Sequence, residues 1–312
     1  MTDVAAIGNF KDHERAELTA AFDPIHLTRL AELQDVDPGT REGLRAIAYK
    51  GHVPFGAAEM DLVPSLGLIA NYGVGFDAID IGEAQARGIR VTNTPDVLND
   101  DVADLAIGLW LMQRREMEAA SRWARDGHWA EKGEFRLVTQ ASCGTAGILG
   151  LGRIGREIAD RLAAFKMEIH YTSRTEKETP GWTFHEDPVA LARAVDTLFV
   201  ALVGGPETEN AVSKDVIEAL GPTGVLVNIS RGSTVDEAAL LDALEDGRLG
   251  GAGLDVFRGE PAIDPRFYEI PSVVIQPHQG SGSVATRAAM AKLQRDNVAA
   301  FLQGDDLLTP VV

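Results

Sequence analysis

A chain of 312 residues, 45% apolar and 24% charged, is too long for a typical single domain and has the material for two cores of ordinary size. Its formal net charge of −18 argues against nucleic acid or an anionic membrane as partner, since both repel an acidic surface. No apolar run reaches the roughly 20 residues that would cross a bilayer. Met1-Thr2-Asp3-Val4 carries none of the segments of a secretory leader. The single cysteine, Cys143, rules out an internal disulfide, fits a reducing compartment and reads as structural, so the cytoplasm is the expected location.

In chain order, short β-branched apolar runs alternate with helical stretches, the pattern of parallel sheets covered by helices. A first block places strands at Val4–Gly8, Ala46–Tyr49, Leu66–Ala70 and Ile89–Thr92. A long helix is expected from Val102 to about Arg125, with Leu105, Leu109 and Met112 at helical spacing and Asp100 and Asp101 as N-cap. A second block follows at Ala146–Gly150, Glu168–Thr172, Thr197–Val203, Val225–Ser230, Ala252–Phe257 and Ser272–Gln276. Ser283 to about Leu302 reads as a helix returning to the first block, and Leu307–Val312 as a tail with no strand of its own for the second sheet. The expected architecture is therefore α/β with two parallel-sheet domains. A Rossmann-type domain, residues 98–283, is inserted into a smaller flavodoxin-like substrate domain made of residues 1–97 and 284–312.

Gly150-Leu151-Gly152-Arg153-Ile154-Gly155 lies between an expected strand and an expected helix, which lifts a common glycine pattern into a dinucleotide-binding signature. Gly150 permits the tight turn, Gly152 lets the backbone approach a pyrophosphate, and Gly155 lets the helix pack close to the sheet. The helix N-terminus then offers N–H groups to the phosphates. At the end of the next strand an NAD site would carry Asp or Glu for the ribose hydroxyls. Here the chain reads Tyr171-Thr172-Ser173-Arg174-Thr175, with no carboxylate before Glu176. Ser173, Arg174 and Thr175 suit a 2′-phosphate, so NADPH is the expected cofactor and NADH a weaker one. The plainer alternative makes Arg174 a solvated loop residue.

Three later strands end in polar residues: Arg231 after Val227–Ser230, Glu260-Pro261 after Leu254–Gly259, and His278 after Ile275–Pro277. If the strands are parallel, all three emerge at one carboxyl edge, where open α/β sheets bind ligands. Singly, such residues are more often structural; together, beside a dinucleotide signature, they form a catalytic set. With Asn71–Asp77, Thr92-Asn93-Thr94-Pro95 and Gly133-Glu134-Phe135, these segments resemble the D-isomer-specific 2-hydroxyacid dehydrogenase family over nearly the whole chain. Tyr171–Thr175, Gly247–Gly251 and Leu308–Val311 are most similar to its NADPH-preferring glyoxylate/hydroxypyruvate reductase branch.

The resemblance implies reduction of a small 2-keto acid, glyoxylate or hydroxypyruvate, to the D-2-hydroxy acid. His278 would donate the proton, as imidazole chemistry suits. Glu260 would orient its ring and favour its charged form. Arg231 would grip the substrate carboxylate and polarise the carbonyl. The resemblance further implies that the Val74 and Gly75 amides hold the carboxylate, that Asp255 meets the nicotinamide amide, and that Val203 and Ile229 border the cofactor. It implies a homodimer whose segment from the long helix to about Thr139, with Trp129 and Phe135, embraces the partner. No His/Cys cluster has metal-ligand spacing, so no metal is expected.

Three features depart from the family pattern: Val203-Gly204-Gly205 where a proline is usual, Gln279 where an apolar residue is common, and Lys50-Gly51-His52 in place of a small-residue loop. Two rival readings stand beside the main one. A dehydrogenase for a bulkier keto acid such as phenylpyruvate differs only in pocket size, and a dinucleotide-sensing protein would bind NADPH without consuming it.

Overall fold

The computed structural model describes residues 2–312. The chain forms two compact units, Met1–Leu98 with Ser283–Val312, and Asn99–Gly282.

The first unit holds a five-stranded, wholly parallel sheet of β1 (Val4–Gly8), β2 (Ile25–Leu27), β3 (Ala46–Lys50), β4 (Leu68–Asn71) and β5 (Arg90–Thr92), ordered 2-1-3-4-5 as in flavodoxin-like folds. Strands β1 and β4 are buried along their whole length, which suits the central positions of a sheet covered on both faces. The three-residue β2 is half-buried at the sheet edge and too short to show periodicity, so it escaped the sequence reading. The helix Val284–Gln303, capped by the Ser283 hydroxyl, packs on β3 and β4. Its buried Gln294 donates to the carbonyls of Tyr49 (3.1 Å) and Ala70 (2.7 Å). The tail does reach a sheet, though the first one: Pro310 bridges Thr92 antiparallel and Val311 N–H donates to Val91 O at 2.7 Å.

The second unit holds a seven-stranded parallel sheet. Its strands are β6 (Thr145–Leu149), β7 (Glu168–Thr172), β8 (Thr183–Phe184), β9 (Thr197–Val200), β10 (Val225–Asn228), β11 (Gly251–Leu254) and β12 (Val273–Ile275). Their order, 12-11-10-9-6-7-8, reverses direction between β6 and β9, as in Rossmann sheets. The two-residue β8 is a further strand that no run in the sequence announces.

Several expectations at the start of this unit need correction. The long helix is two: Asn99–Arg114 ends where Glu116 takes φ +44°, and Met117–Arg125 follows. Asp100 and Asp101 lie inside its first turn rather than at the N-cap. Asp100 and Asp104 instead hold Arg161 on the neighbouring helix Arg153–Ala164, each at 2.7 Å, while Glu157 holds its third nitrogen. Trp110, fully buried, meets the Phe165 and Phe199 rings edge-on behind this contact. Cys143 is exposed and takes φ +67°, so it marks the turn into β6 rather than a packed core position.

Candidate active site

The glycine turn follows β6 at the point where the strand order reverses. Gly150 takes φ +102°, and a Cβ there would lie 2.7 Å from Ala201 O at the end of β9. A Cβ on Gly155 would lie 2.1 Å from Gly150 O, so a side chain there would push the helix Arg153–Ala164 off the turn. Nothing stands within 4 Å of the corresponding point on Gly152, which leaves its backbone open to approach. Leu151 is buried beneath the turn and Ile154 half-buried, while Gly152 and Arg153 face outward. The first backbone bond of the helix runs from Arg156 N–H to Gly152 O, so the amides of its opening turn precede any intrahelical acceptor. This cradle fits a pyrophosphate.

Beside it lies a pocket of about 250 Å³ lined by Leu151, Gly152, Arg156, Lys177 and Glu178. Ser173 is half-buried and donates to Thr175 O at 2.6 Å; Arg174 and Thr175 are exposed on the same loop. The sequence reading missed Arg156 and Lys177. Arg156 stands over the Trp182 ring, 4.9 Å from its centre, and donates to Glu178 O. Lys177 is fixed by its backbone, which exchanges hydrogen bonds with the Tyr171 hydroxyl. One signal was available: Arg156 lies three residues after Arg153, on the same side of the helix.

Arg231, Glu260 and His278 follow β10, β11 and β12, three adjacent parallel strands, and so leave one carboxyl edge. The Glu260 carboxylate accepts the His278 Nδ1 hydrogen bond at 2.7 Å, and its other oxygen accepts Phe257 N–H at 2.8 Å. Both side chains are about a third exposed, open to a ligand without floating in solvent. His278 takes φ +54°, a conformation its surroundings must enforce. They do so through Asp255. Its backbone oxygen accepts His278 N–H (2.9 Å), and its carboxylate accepts the N–H groups of Gln279 (2.6 Å) and Gly280 (2.8 Å).

Asp255 is 1% exposed, and burial pushes its carboxyl pKa up against the opposing pull of those two amide bonds. Its first task in this structure is to hold the His278 loop, and contact with a nicotinamide amide would have to use its remaining lone pairs. The Arg231 backbone is pinned as firmly: its carbonyl accepts from Asn228 Nδ2 (3.0 Å) and Thr234 Oγ1 (2.7 Å). Arg231 Nη1 donates to Ser230 O at 2.9 Å. Ile229, beside it, is buried; Val203 is 65% exposed in the loop after β9.

In the first unit, the loop after β4 presents Val74 and Gly75. The carbonyls of Gly73, Val74 and Gly75 are all engaged, by Asn71 Nδ2 and Thr94 N–H, by Asn93 Nδ2, and by Asn71 Nδ2 again. Among the described residues no hydrogen bond takes up the Val74 or Gly75 amide.

The model of the D-isomer-specific 2-hydroxyacid dehydrogenase NAD-binding domain matches residues 107–280, more than half of the chain. A glyoxylate/hydroxypyruvate reductase of Arabidopsis thaliana is 46% identical over 272 residues, 87% of each chain. The chain belongs to the D-isomer-specific 2-hydroxyacid dehydrogenase family. It is accordingly an NAD(P)-dependent dehydrogenase. The hydroxyphenylpyruvate reductase of Plectranthus scutellarioides is similar to this dehydrogenase to the same degree, 45% over 271 residues, covering 87% of this chain and 86% of that one. Among solved structures, the NADPH-dependent glyoxylate/hydroxypyruvate reductase of Sinorhizobium meliloti, in complex with NADP and malonate, superposes on the dehydrogenase with a TM-score of 0.94. The two are 43% identical, and the match covers 100% of this chain and 97% of that one.

Among the described residues of the dehydrogenase, no group of three or more His, Cys, Asp or Glu side chains could hold a metal ion. No helix is long and apolar enough to cross a membrane.

Proposed function

We propose that the dehydrogenase reduces glyoxylate or hydroxypyruvate to the D-2-hydroxy acid with NADPH. The observation that carries this reading is the Glu260–His278 pair beside Arg231 at the carboxyl edge of a dinucleotide-binding sheet. When bound, the nicotinamide supplies a hydride for the substrate carbonyl carbon. The chain supplies the rest. Arg231 holds the carboxylate with its planar fork and polarises the carbonyl; in the first unit, the loop after β4 offers the Val74 and Gly75 amides to a carboxylate. Glu260 accepts from Nδ1, which leaves Nε2 as the nitrogen that delivers the proton to the carbonyl oxygen. Asp255 keeps that ring in place through the loop.

Gly150–Gly155 would hold the pyrophosphate, Val203, Ile229 and Asp255 would border the nicotinamide, and Ser173, Arg174 and Thr175 would meet the 2′-phosphate. The absence of a carboxylate at the end of β7 supports NADPH over NADH. Replacing Arg174 by Ala should lower kcat/KM for NADPH by about 10- to 100-fold, the worth of a charge-assisted hydrogen bond, and leave NADH nearly untouched. Equal losses with both cofactors would remove Arg174 from the 2′-phosphate site and leave Arg156 and Lys177 to fill it.

We also infer a cytoplasmic homodimer. The segment after Arg114 exposes Trp129 (68%), Leu137 (98%) and Met117 (43%), more apolar surface than a solitary arm would keep in water. Light scattering at micromolar concentration should give twice the 33.4 kDa chain mass; a monomeric mass would refute this.

The similarity to a hydroxyphenylpyruvate reductase supports a second reading, a bulkier keto acid. Comparing kcat/KM for glyoxylate, hydroxypyruvate, phenylpyruvate and 4-hydroxyphenylpyruvate, each with NADPH and NADH, separates the two. The main reading expects the small acids with NADPH to lead; a lead by the aromatic acids replaces it, and bound NADPH with no turnover of any acid makes the chain a sensor.

A further inference from the structure

The first sheet, ordered 2-1-3-4-5, reverses between β1 and β3, and ligands of such sheets bind in the crevice at the carboxyl ends of those strands. The residue at that point is Lys50. Here β1 and β3 run so close that a Cβ on Gly8, at φ +130°, would lie 2.0 Å from Lys50 O. The Lys50 ammonium stands 4.3 Å from the centre of the Tyr72 ring and 5.4 Å from that of Phe10. Its nitrogen is 2.6 Å from Glu14 Oε2, and its side chain is only 17% exposed. Tyr72 leads directly into Gly73-Val74-Gly75, so the ammonium and the proposed carboxylate loop share one sheet edge.

The partner carboxylate is fully committed. Glu14 is 2% exposed and accepts from Lys50, from Lys11 N–H (2.7 Å) and from the Tyr72 hydroxyl (3.0 Å). Burial alone would raise its pKa; the Lys50 and Lys11 hydrogen bonds, the Lys50 charge and the Tyr72 hydroxyl outweigh that and hold it low. An ammonium has three N–H donors, and among the described residues Glu14 is the one hydrogen-bond acceptor of Lys50. The flanking rings stabilise the cation without saturating its donors.

We propose that Lys50 binds the hydroxyl on C3 of the substrate, so that the enzyme selects 2-keto acids hydroxylated beyond the carbonyl, hydroxypyruvate and longer polyhydroxylated acids, over their deoxy counterparts. This rests on the keto-acid reductase reading above. A hydroxyl offers lone pairs without charge. A methyl or phenyl group would cover the ammonium and leave its donors with neither water nor partner, the arrangement by which a polar site rejects an analogue lacking the hydroxyl.

The test compares kcat/KM for hydroxypyruvate, pyruvate and glyoxylate in wild type, Lys50→Met and Lys50→Met/Glu14→Gln. The double variant avoids an unpaired buried carboxylate should the single one fail to fold. Hydroxypyruvate and pyruvate differ only in the hydroxyl. Wild type should prefer hydroxypyruvate over pyruvate. In either variant kcat/KM for hydroxypyruvate should fall about 10- to 100-fold relative to both pyruvate and glyoxylate, through KM more than kcat. Wild type that reduces glyoxylate but prefers pyruvate over hydroxypyruvate overturns the proposal, as does a hydroxypyruvate-to-pyruvate ratio unmoved by the loss of Lys50. Wild type that reduces no keto acid at all overturns the reductase reading, and this proposal with it.

Discussion

Replacing His278 by Ala is expected to lower kcat for keto-acid reduction by about 10²–10⁴-fold while NADPH still binds nearly as tightly, because general acid catalysis contributes on that order. The site leaves little room for a substitute acid. His278 is held at φ +54° by backbone and carboxylate bonds to Asp255, and Glu260, the neighbouring titratable group, is tied to Phe257 N–H by one oxygen and to the imidazole by the other. Loss of the imidazole removes the proton donor without touching Gly150–Gly155, which lie at the reversal point between β6 and β9 in the same sheet. The measurement is steady-state kcat alongside NADPH fluorescence titration. Near-normal kcat would take the proton-donor role away from His278; equal losses in rate and binding would mean that the residue supports the loop rather than the chemistry.

The second large effect is expected at Arg231. Removing the guanidinium by Arg231→Leu should cost about 10²–10³-fold in kcat/KM, since two hydrogen bonds from a charged fork to a carboxylate are lost together. Arg231→Lys should recover only part of this, because a lysine ammonium keeps the charge without the planar geometry. The backbone at 231 is fixed by Asn228 and Thr234 independently of the side chain, so both variants should fold and bind NADPH. If Lys restores full kcat/KM, charge alone is used there and the bidentate grip is wrong.

The glycine turn after β6 and the convergence of Arg231, Glu260 and His278 on one sheet edge were legible in the sequence because each rests on local rules. A glycine turn between strand and helix has few other uses, and apolar runs ending in Arg, Glu and His converge once the strands are parallel. The parallel character of both sheets followed from the same alternation. What stayed illegible depends on tertiary contact. β2 and β8, at three and two residues, are too short for a period. Asp100 looked like a cap because carboxylates favour helix N-termini, yet its partner Arg161 lies 61 positions on. Lys50 stood out in the sequence as a departure from a small-residue loop. Glu14, 36 positions earlier, and Tyr72 explain how a lysine can be buried there. Arg156 and Lys177 were missed because reading the end of β7 stopped at Thr175, short of the loop that the Tyr171 hydroxyl folds back toward the glycine turn.

The central claim, that this chain reduces hydroxypyruvate to the D-acid with NADPH, is tested most directly by resolving the glycerate enantiomers formed from hydroxypyruvate while NADPH loss is followed in the same reaction. One D-glycerate for each NADPH oxidised is the expected result. L-glycerate, or bound NADPH that is never consumed, would contradict it.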